Sequence, residues 1–148
     1  MTTSSAIIDR TRTASRASAT IAAGLLVAFA ALQVALAAGA PWGGLAWGGV
    51  DEGQLANGLR VASGVAAVVL GWMALVLLTR GGVVSRTRIV PSRYLKVETW
   101  AIAGVMALNT LSNLASGNSF EQLVAAPVTA TVAASAVFLA LRGVSPSS

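Results

Sequence analysis

The side chains that could do chemistry within the apolar segments of this 148-residue chain are amides and hydroxyls. Asn109, Ser112 and Asn113 follow an i, i+3, i+4 spacing, which puts them on one face of a helix. Gln33 lies near the end of another apolar segment. Because these groups donate and accept hydrogen bonds without titrating near neutral pH, two roles are open. They either bond neighbouring helices together or line a polar pocket for a small ligand or a lipid headgroup.

A second set of candidates follows the first apolar segment. Trp42 and Trp47 lie in a run that contains Pro41 and five glycines between residues 39 and 49. Tryptophan rings settle at the headgroup level of a membrane, so the run is either an interfacial anchor on a loop or a cap over the end of the helices. Arg60 is predicted to lie on the same side of the membrane as this run. The candidate pocket residues are Gln33, Trp42, Trp47, Arg60, Asn109, Ser112 and Asn113.

Several kinds of chemistry are excluded by composition. The chain has no His and no Cys, so it has no Ser-His or Cys-His nucleophile and no thiolate or imidazole metal site. Glu98 and Glu121, the carboxylates nearest the apolar segments, lie at the segment ends, which disfavours proton-coupled transport through a carboxylate inside a span. We therefore predict no catalytic residue, no metal and no cofactor, and a protein that is not an enzyme.

The elements that must position these residues are predicted to be transmembrane helices. The chain is 55% hydrophobic and 10% charged, with a mean hydropathy of +0.76, whereas soluble domains carry about 25% charged residues. Four stretches reach the length of a membrane span, at about 17–38, 61–79, 99–115 and 123–141. We predict an all-α integral membrane protein, a compact antiparallel four-helix bundle over residues 17–142. Residues 1–16 and 143–148 are predicted to be tails, the first of them disordered.

The orientation of this bundle follows from its charges. Nine of the ten basic residues fall on one side of the predicted spans, and Arg60 alone falls on the other. The positive-inside rule then puts both termini in the cytoplasm. The high content of Arg and Ala fits a bacterial, GC-rich genome, so the expected location is the bacterial cytoplasmic membrane. An alternative is that the first span is a secretory signal cleaved after Ala35-Leu36-Ala37, which would leave three spans.

The basic residues of the loop between the second and third spans have two interpretations. They are topogenic charge only, or they contact anionic lipid headgroups. Because topology accounts for the basic pI of about 11.5, we predict no nucleic-acid partner. The candidate lipid contacts are Arg86, Arg88, Arg93 and Lys96.

Two segments resemble a set of small four-span actinobacterial membrane proteins. The first is Leu32 to Gly43, containing Gly39-Ala40-Pro41-Trp42-Gly43, with Trp47-Gly48-Gly49 after it. The second is Leu108-Asn109 with Asn113-Leu114-Ala115-Ser116. The resemblance implies the four-span architecture and no activity.

Three function classes remain open. The first is an accessory subunit or a bundle that interacts with lipids or small molecules; its partners would be membrane lipids, with a protein partner or a homo-oligomer as further candidates. The second is a small transporter or channel with a polar pocket in the outer half of the bundle. The third is a four-span membrane enzyme of isomerase type, which would require positioned acids or bases that the sequence does not show.

Overall fold

The computed structural model describes residues 3–85 and 94–143, which form four α-helices and contain no strand. The helices are α1 (Thr3–Ala38), α2 (Asn57–Arg80), α3 (Leu95–Ala115) and α4 (Ala126–Arg142). Two 3-10 turns, Gly43–Leu45 and Trp47–Gly49, follow α1, and a π-helical turn, Glu121–Ala125, precedes α4. The predicted all-α fold is confirmed.

The structure differs from the sequence prediction at the N-terminus, where residues 3–16 form the first turns of α1 instead of a disordered tail. Thr11 and Thr13 donate their hydroxyls to the carbonyls of Ile7 and Asp9, one turn earlier. Ser15 is fully buried, and its hydroxyl lies 3.4 Å from the carbonyl oxygen of Arg142. The serine and arginine content suggested disorder, but these turns continue the helix and pack on the end of α4.

The helices pair as two hairpins. α1 packs along α2 and α3 packs along α4, while α1 also packs against α4 and joins the hairpins. α2 and α3 are neighbours with little contact. We call the end where α2 and α4 finish the Arg80 end, and the end where α1 finishes the Trp47 end. The bundle is therefore closed on its α1–α4 side and loose on its α2–α3 side.

The main core lies towards the Arg80 end. It is built from small residues of α1 packed against larger ones, and Ala19, Ala22, Leu77, Ala136 and Leu139 are all completely inaccessible. Alanines at such positions let helix backbones approach closely. A second, smaller cluster of Leu36, Ala46 and Leu55 fixes the loop at the Trp47 end.

Three segments of the described residues are long and apolar enough to cross a membrane: Ile7–Ala38, Asn57–Arg80 and Glu121–Arg142. α3 is not among them, because Lys96 and Glu98 in its first turn and polar residues such as Asn109 and Asn113 in its second half lower its mean hydropathy. Large apolar side chains also point away from the bundle, including Val61, Val65 and Val68 of α2. Apolar surface on the outside of helices is typical of contact with lipid. These features indicate a membrane protein.

Candidate functional site

A cavity of about 790 Å³ lies among the helices near the Trp47 end. All four helices, the π-helical turn and the loop after α1 contribute to its wall. The lining is mostly apolar, and Leu26, Met73, Met106 and Val132 are its buried members in the four helices. Small-molecule sites have this character, with volumes of roughly 300–1,000 Å³ and a few polar groups in an apolar wall.

The cavity opens between α2 and α3. Val69 of α2 and Val105 of α3 both line it, yet they are 43% and 42% exposed. On the opposite side, Leu26 of α1 and Val132 of α4 are 3% and 1% exposed. The closely packed α1–α4 side therefore forms the floor, and the loosely packed α2–α3 side forms the mouth.

Five of the seven predicted pocket residues line this one cavity. Gln33 comes from α1, Trp47 from the loop, and Asn109, Ser112 and Asn113 from α3. The side-chain oxygen Oε1 of Gln33 is buried and has no hydrogen-bond partner within the described structure. A buried acceptor without a donor is costly, typically by about 1–3 kcal/mol, so this amide is available to a ligand.

The loop between α1 and α2 covers the cavity at the Trp47 end. Leu45, Ala46, Trp47 and Gly48 all line it. The indole Nε1 of Trp47 donates to Ser63 Oγ of α2 at 3.0 Å, and the backbone N–H of Gly48 donates to Glu121 Oε1 at 2.8 Å. These bonds fasten the cover to both hairpins.

A third bond holds the same loop. Asn118 Nδ2 donates to the carbonyl of Gly44 at 2.6 Å, while Asn118 Oδ1 accepts the backbone N–H of Phe120 at 2.8 Å. Asn118 lies in the turn between α3 and the π-helical turn. The position of the cover is therefore tied to the start of the α4 segment.

Glycine allows the backbone path of this cover. α1 ends in a Schellman motif, in which Gly39 adopts a φ of +97° and the N–H of Ala40 donates to the carbonyl of Ala35 at 2.9 Å. Gly48 also has a positive φ of 75°, and Trp47 shares the left-handed region with a φ of 56°. A tryptophan in that region is uncommon and costs roughly 1–3 kcal/mol, a strain that the bond to Ser63 helps to hold.

The helix that begins with the π-helical turn is widened by a proline. Pro127 has no N–H, and its ring would clash with the carbonyl four residues earlier in a regular α-helix. The preceding turn is instead π-helical, and Ala126 N–H donates to the carbonyl of Glu121. This turn brings Glu121 and Ala125 to the cavity wall.

Trp42 and Arg60, the other two predicted pocket residues, do not line the cavity. Trp42 is 50% exposed at the start of the first 3-10 turn. Arg60 Nε donates to the carbonyl of Ala37 at 3.2 Å, and Gln54 Nε2 donates to that of Gly39 at 2.6 Å. Arg60 thus satisfies a carbonyl at the C-terminus of α1, where a cation also interacts favourably with the helix dipole.

The structure also identifies residues that the sequence analysis did not assign to the pocket. Glu121 lines the cavity, and it is the only ionisable side chain among the described lining residues. Thr129 of α4 lines it too, and Thr110 donates to its hydroxyl at 2.9 Å, which bonds α3 to α4. The interhelical bond therefore belongs to Thr110, a neighbour of the predicted amides. Its position in a polar run of α3 is the only signal that the sequence offered.

Of the four predicted lipid contacts, the structure describes one, Lys96, and it lies at the opposite end. Arg86, Arg88 and Arg93 are outside the described residues. Lys96 is exposed in the first turn of α3, which starts at the Arg80 end. Within the described part of the chain, no group of three or more His, Cys, Asp or Glu side chains is placed to hold a metal ion.

No protein-family description, curated protein or solved structure matches this chain.

Proposed function

We propose that the chain is a four-span protein of the bacterial cytoplasmic membrane, with both termini in the cytoplasm, and that it binds an amphipathic small molecule or lipid in the cavity near the Trp47 end. The observation that carries this proposal is the combination of an apolar cavity with the buried, unpartnered Oε1 of Gln33. An apolar wall takes up an alkyl chain, and a single buried acceptor orients a polar head group.

The position of the mouth favours a ligand that comes from the bilayer. In a membrane, the opening between α2 and α3 would face the acyl chains, so molecules dissolved in lipid would reach the cavity without crossing water. The polar side chains of α3 lie at this opening, where Asn109 and Ser112 are exposed although they line the cavity. A lipid-facing amide with no partner is unfavourable in hydrocarbon, and a ligand head group would relieve that cost.

The same reasoning favours a cavity role over helix bonding for the α3 amides. The side chains of Asn109, Ser112 and Asn113 make no hydrogen bond to any described residue. Residues that bond helices together would have partners on a neighbouring helix, as Thr110 has in Thr129.

The length of α3 supports the proposal that it spans the membrane in addition to the three apolar segments described above. Its 21 residues extend about 31 Å, which matches a hydrocarbon core of about 30 Å. Its polar residues lower the hydropathy of the helix, but several of them line the cavity and do not all face lipid. A transmembrane α3 also returns the chain to the side from which α4 must start.

Cavity filling tests the binding proposal. Val69→Trp places an indole at the mouth, whereas Val65→Trp alters an exposed residue one turn away that does not line the cavity. In lipid nanodiscs, we expect Val69→Trp to reduce the binding of a dodecyl-chain amphiphile at least about tenfold, and Val65→Trp to change it less than about twofold. Empty nanodiscs provide the correction for partitioning.

Equal binding by the wild type, both variants and empty nanodiscs would contradict the proposal. Helical circular dichroism and size-exclusion profiles of the variants would show that each is folded. Reduced binding by Val65→Trp to the same degree as Val69→Trp would also contradict it, because the effect would not belong to the cavity.

Cysteine labelling tests the orientation, since the chain has no cysteine of its own. Ser119→Cys reports the Trp47 end and Ser85→Cys the Arg80 end, and both serines are exposed. A membrane-impermeant maleimide should label Ser119→Cys in spheroplasts and Ser85→Cys only after permeabilisation. The opposite pattern would reverse the proposed topology.

A small transporter is the second candidate. It ranks below a binding protein because the cavity approaches only one end of the bundle. Towards the Arg80 end, Leu77, Ala136 and Leu139 close the interior. A transporter would also have to open this packed end, so flux of a bound amphiphile across proteoliposomes would distinguish transport from binding. The accessory-subunit role, with a protein partner or a homo-oligomer, stays a prediction that stoichiometric co-purification would test.

A further inference from the structure

The charge of the cavity restricts the head group that it can accept. Glu121 is the only ionisable residue among the described lining residues, and no Lys or Arg is among them. Arg60, a basic residue at this end, does not line the cavity and donates its Nε to the carbonyl of Ala37. A ligand with a negative head group would therefore meet a carboxylate without a compensating cation in the lining.

The hydrogen-bonding groups of the cavity also disfavour a negative head group. Gln33 Oε1 is a buried acceptor without a donor. Glu121 Oε1 accepts the N–H of Gly48, and a carboxylate has capacity for more than one donor. Both groups are acceptors, and the Asn109 and Asn113 amides of the lining can accept as well as donate, so a head group that donates hydrogen bonds is complementary to all of them.

Aromatic side chains add a third preference. Phe29 of α1 and Trp47 of the cover both line the cavity. Aromatic faces attract cations, and this attraction grows when water is excluded. The Glu121 carboxylate, the Gln33 amide oxygen and the two rings therefore all stabilise positive charge, whereas the neutral amides and hydroxyls that also line the cavity both donate and accept hydrogen bonds.

Resting on the proposed function, we propose that the cavity selects amphiphiles whose head group is an ammonium with N–H donors. The ammonium pairs with the Glu121 carboxylate and donates to Gln33 Oε1, and the alkyl chain lies along Met73, Met106 and Val132. An amphiphile with the same alkyl chain and a phosphate or sulfate head group is rejected. A charge in an apolar site is stable only when it is paired, and Glu121 provides the partner for a cation.

Four probes with one tail test this selectivity. Dodecylammonium, dodecyltrimethylammonium, dodecanol and dodecyl phosphate are titrated into the protein in phosphatidylcholine nanodiscs, with empty nanodiscs as the reference. The reporter is Trp47 emission in a variant with Trp42, Trp72 and Trp100 replaced by Phe, because Trp47 lines the cavity and these three do not. We expect dodecylammonium to bind at least about tenfold more tightly than dodecyl phosphate, since Coulomb terms near a carboxylate reach several kcal/mol. The trimethyl form, which has no N–H, should bind about threefold more weakly than dodecylammonium.

Two variants assign the selectivity to its residues. Glu121→Gln retains an oxygen for the Gly48 N–H but removes the charge, so the preference for ammonium over phosphate should fall about tenfold. Gln33→Met removes the acceptor at similar volume, so the ammonium and trimethyl forms should bind within about twofold of each other. Glu52→Gln, at an exposed residue of the same loop that does not line the cavity, serves as the matched control and should leave all four affinities unchanged.

The outcomes separate this inference from the proposal on which it rests. If the probes bind and Val69→Trp weakens them, but dodecyl phosphate binds as well as dodecylammonium, the head-group assignment is overturned and the binding function stands. An unchanged preference in Glu121→Gln overturns it equally. If no probe binds beyond the level of empty nanodiscs, the binding function itself fails.

Discussion

The polar side chains at the two ends of the bundle make different contacts, although each end holds one buried side-chain oxygen without a partner among the described residues, Glu98 Oε2 and Gln33 Oε1. At the Arg80 end, Arg80 is only 7% exposed, and its Nε and Nη2 donate to the carbonyls of Leu139 and Ala140 at 3.1 and 3.3 Å. At the Trp47 end, Gln33 Oε1 has no donor, and the amides of Asn109 and Asn113 have no bonds to described residues. The first end is closed by side chains, and the second surrounds a cavity.

This difference separates residues that stabilise the fold from residues that are available for binding. Arg80 adds donors to carbonyls in the last turn of α4, where the Leu139 carbonyl also accepts the N–H of Gly143 at 2.7 Å. The α3 amides contribute no such bond. Substitutions at the Arg80 end should therefore reduce stability, and those at the cavity should reduce binding.

Loss of the Arg80 guanidinium should cause the largest change in the free energy of unfolding. Arg80→Met leaves the carbonyls of Leu139 and Ala140 without these donors, and hydrogen bonds to charged groups are worth about 1.5–3 kcal/mol. We expect the free energy of unfolding, measured by titration with a denaturing detergent, to fall by about 2–3 kcal/mol. Arg142→Met, at an exposed arginine of the same end, should change it by less than about 0.5 kcal/mol. Equal effects of the two variants would remove the distinction between the ends.

An added side chain at Gly81, where α1 and α2 approach closely, should cause the next largest change in the free energy of unfolding. A Cβ at this buried position would contact Ala19 Cβ and the carbonyl of Ser15, although its φ of −78° suits any residue. Gly81→Ala should reduce the free energy of unfolding by about 1–3 kcal/mol through overpacking. Gly24→Ala, where nothing lies within 4 Å of the added carbon, should instead be neutral or increase it by up to about 1 kcal/mol. A neutral Gly81→Ala would show that the α1–α2 contact is less close than described.

The smallest change in stability is expected at the cavity. Asn109→Leu removes no hydrogen bond of the described structure, so the free energy of unfolding should change by less than about 0.5 kcal/mol while amphiphile binding falls. Thr110→Val, next to it, removes the bond to Thr129 and should cost about 0.6 kcal/mol. Unfolded Asn109→Leu protein would identify Asn109 as a residue that bonds the helices together.

The sequence predicted the helices because hydropathy depends on local composition. The described helices contain the predicted segments 17–38, 61–79 and 99–115, and most of 123–141. The grouping of Asn109, Ser112 and Asn113 followed from helical spacing, since one helix fixes which of its residues share a face.

The contacts between elements could not be predicted in the same way. Nothing local distinguishes Arg80, which is buried against α4, from an arginine at the membrane surface. Ser15 and Ser63 are fully buried because of the helices opposite them, and their own segments give no sign of it. The position of the cover depends on Asn118, which lies 74 residues from its partner Gly44. Such pairings depend on how the two hairpins pack, and neither spacing nor composition specifies that packing.

Methionine methyl groups give the most direct test of the cavity. The chain has three methionines, and Met73 and Met106 both line the cavity while being 8% and 2% exposed. With ¹³C-methyl-methionine in nanodiscs of deuterated lipid, protonated dodecylammonium should give nuclear Overhauser effects to the methyls of Met73 and Met106. Val69→Trp should abolish them. Saturating dodecylammonium that leaves both methyl signals unshifted, with no such effects, would contradict the account.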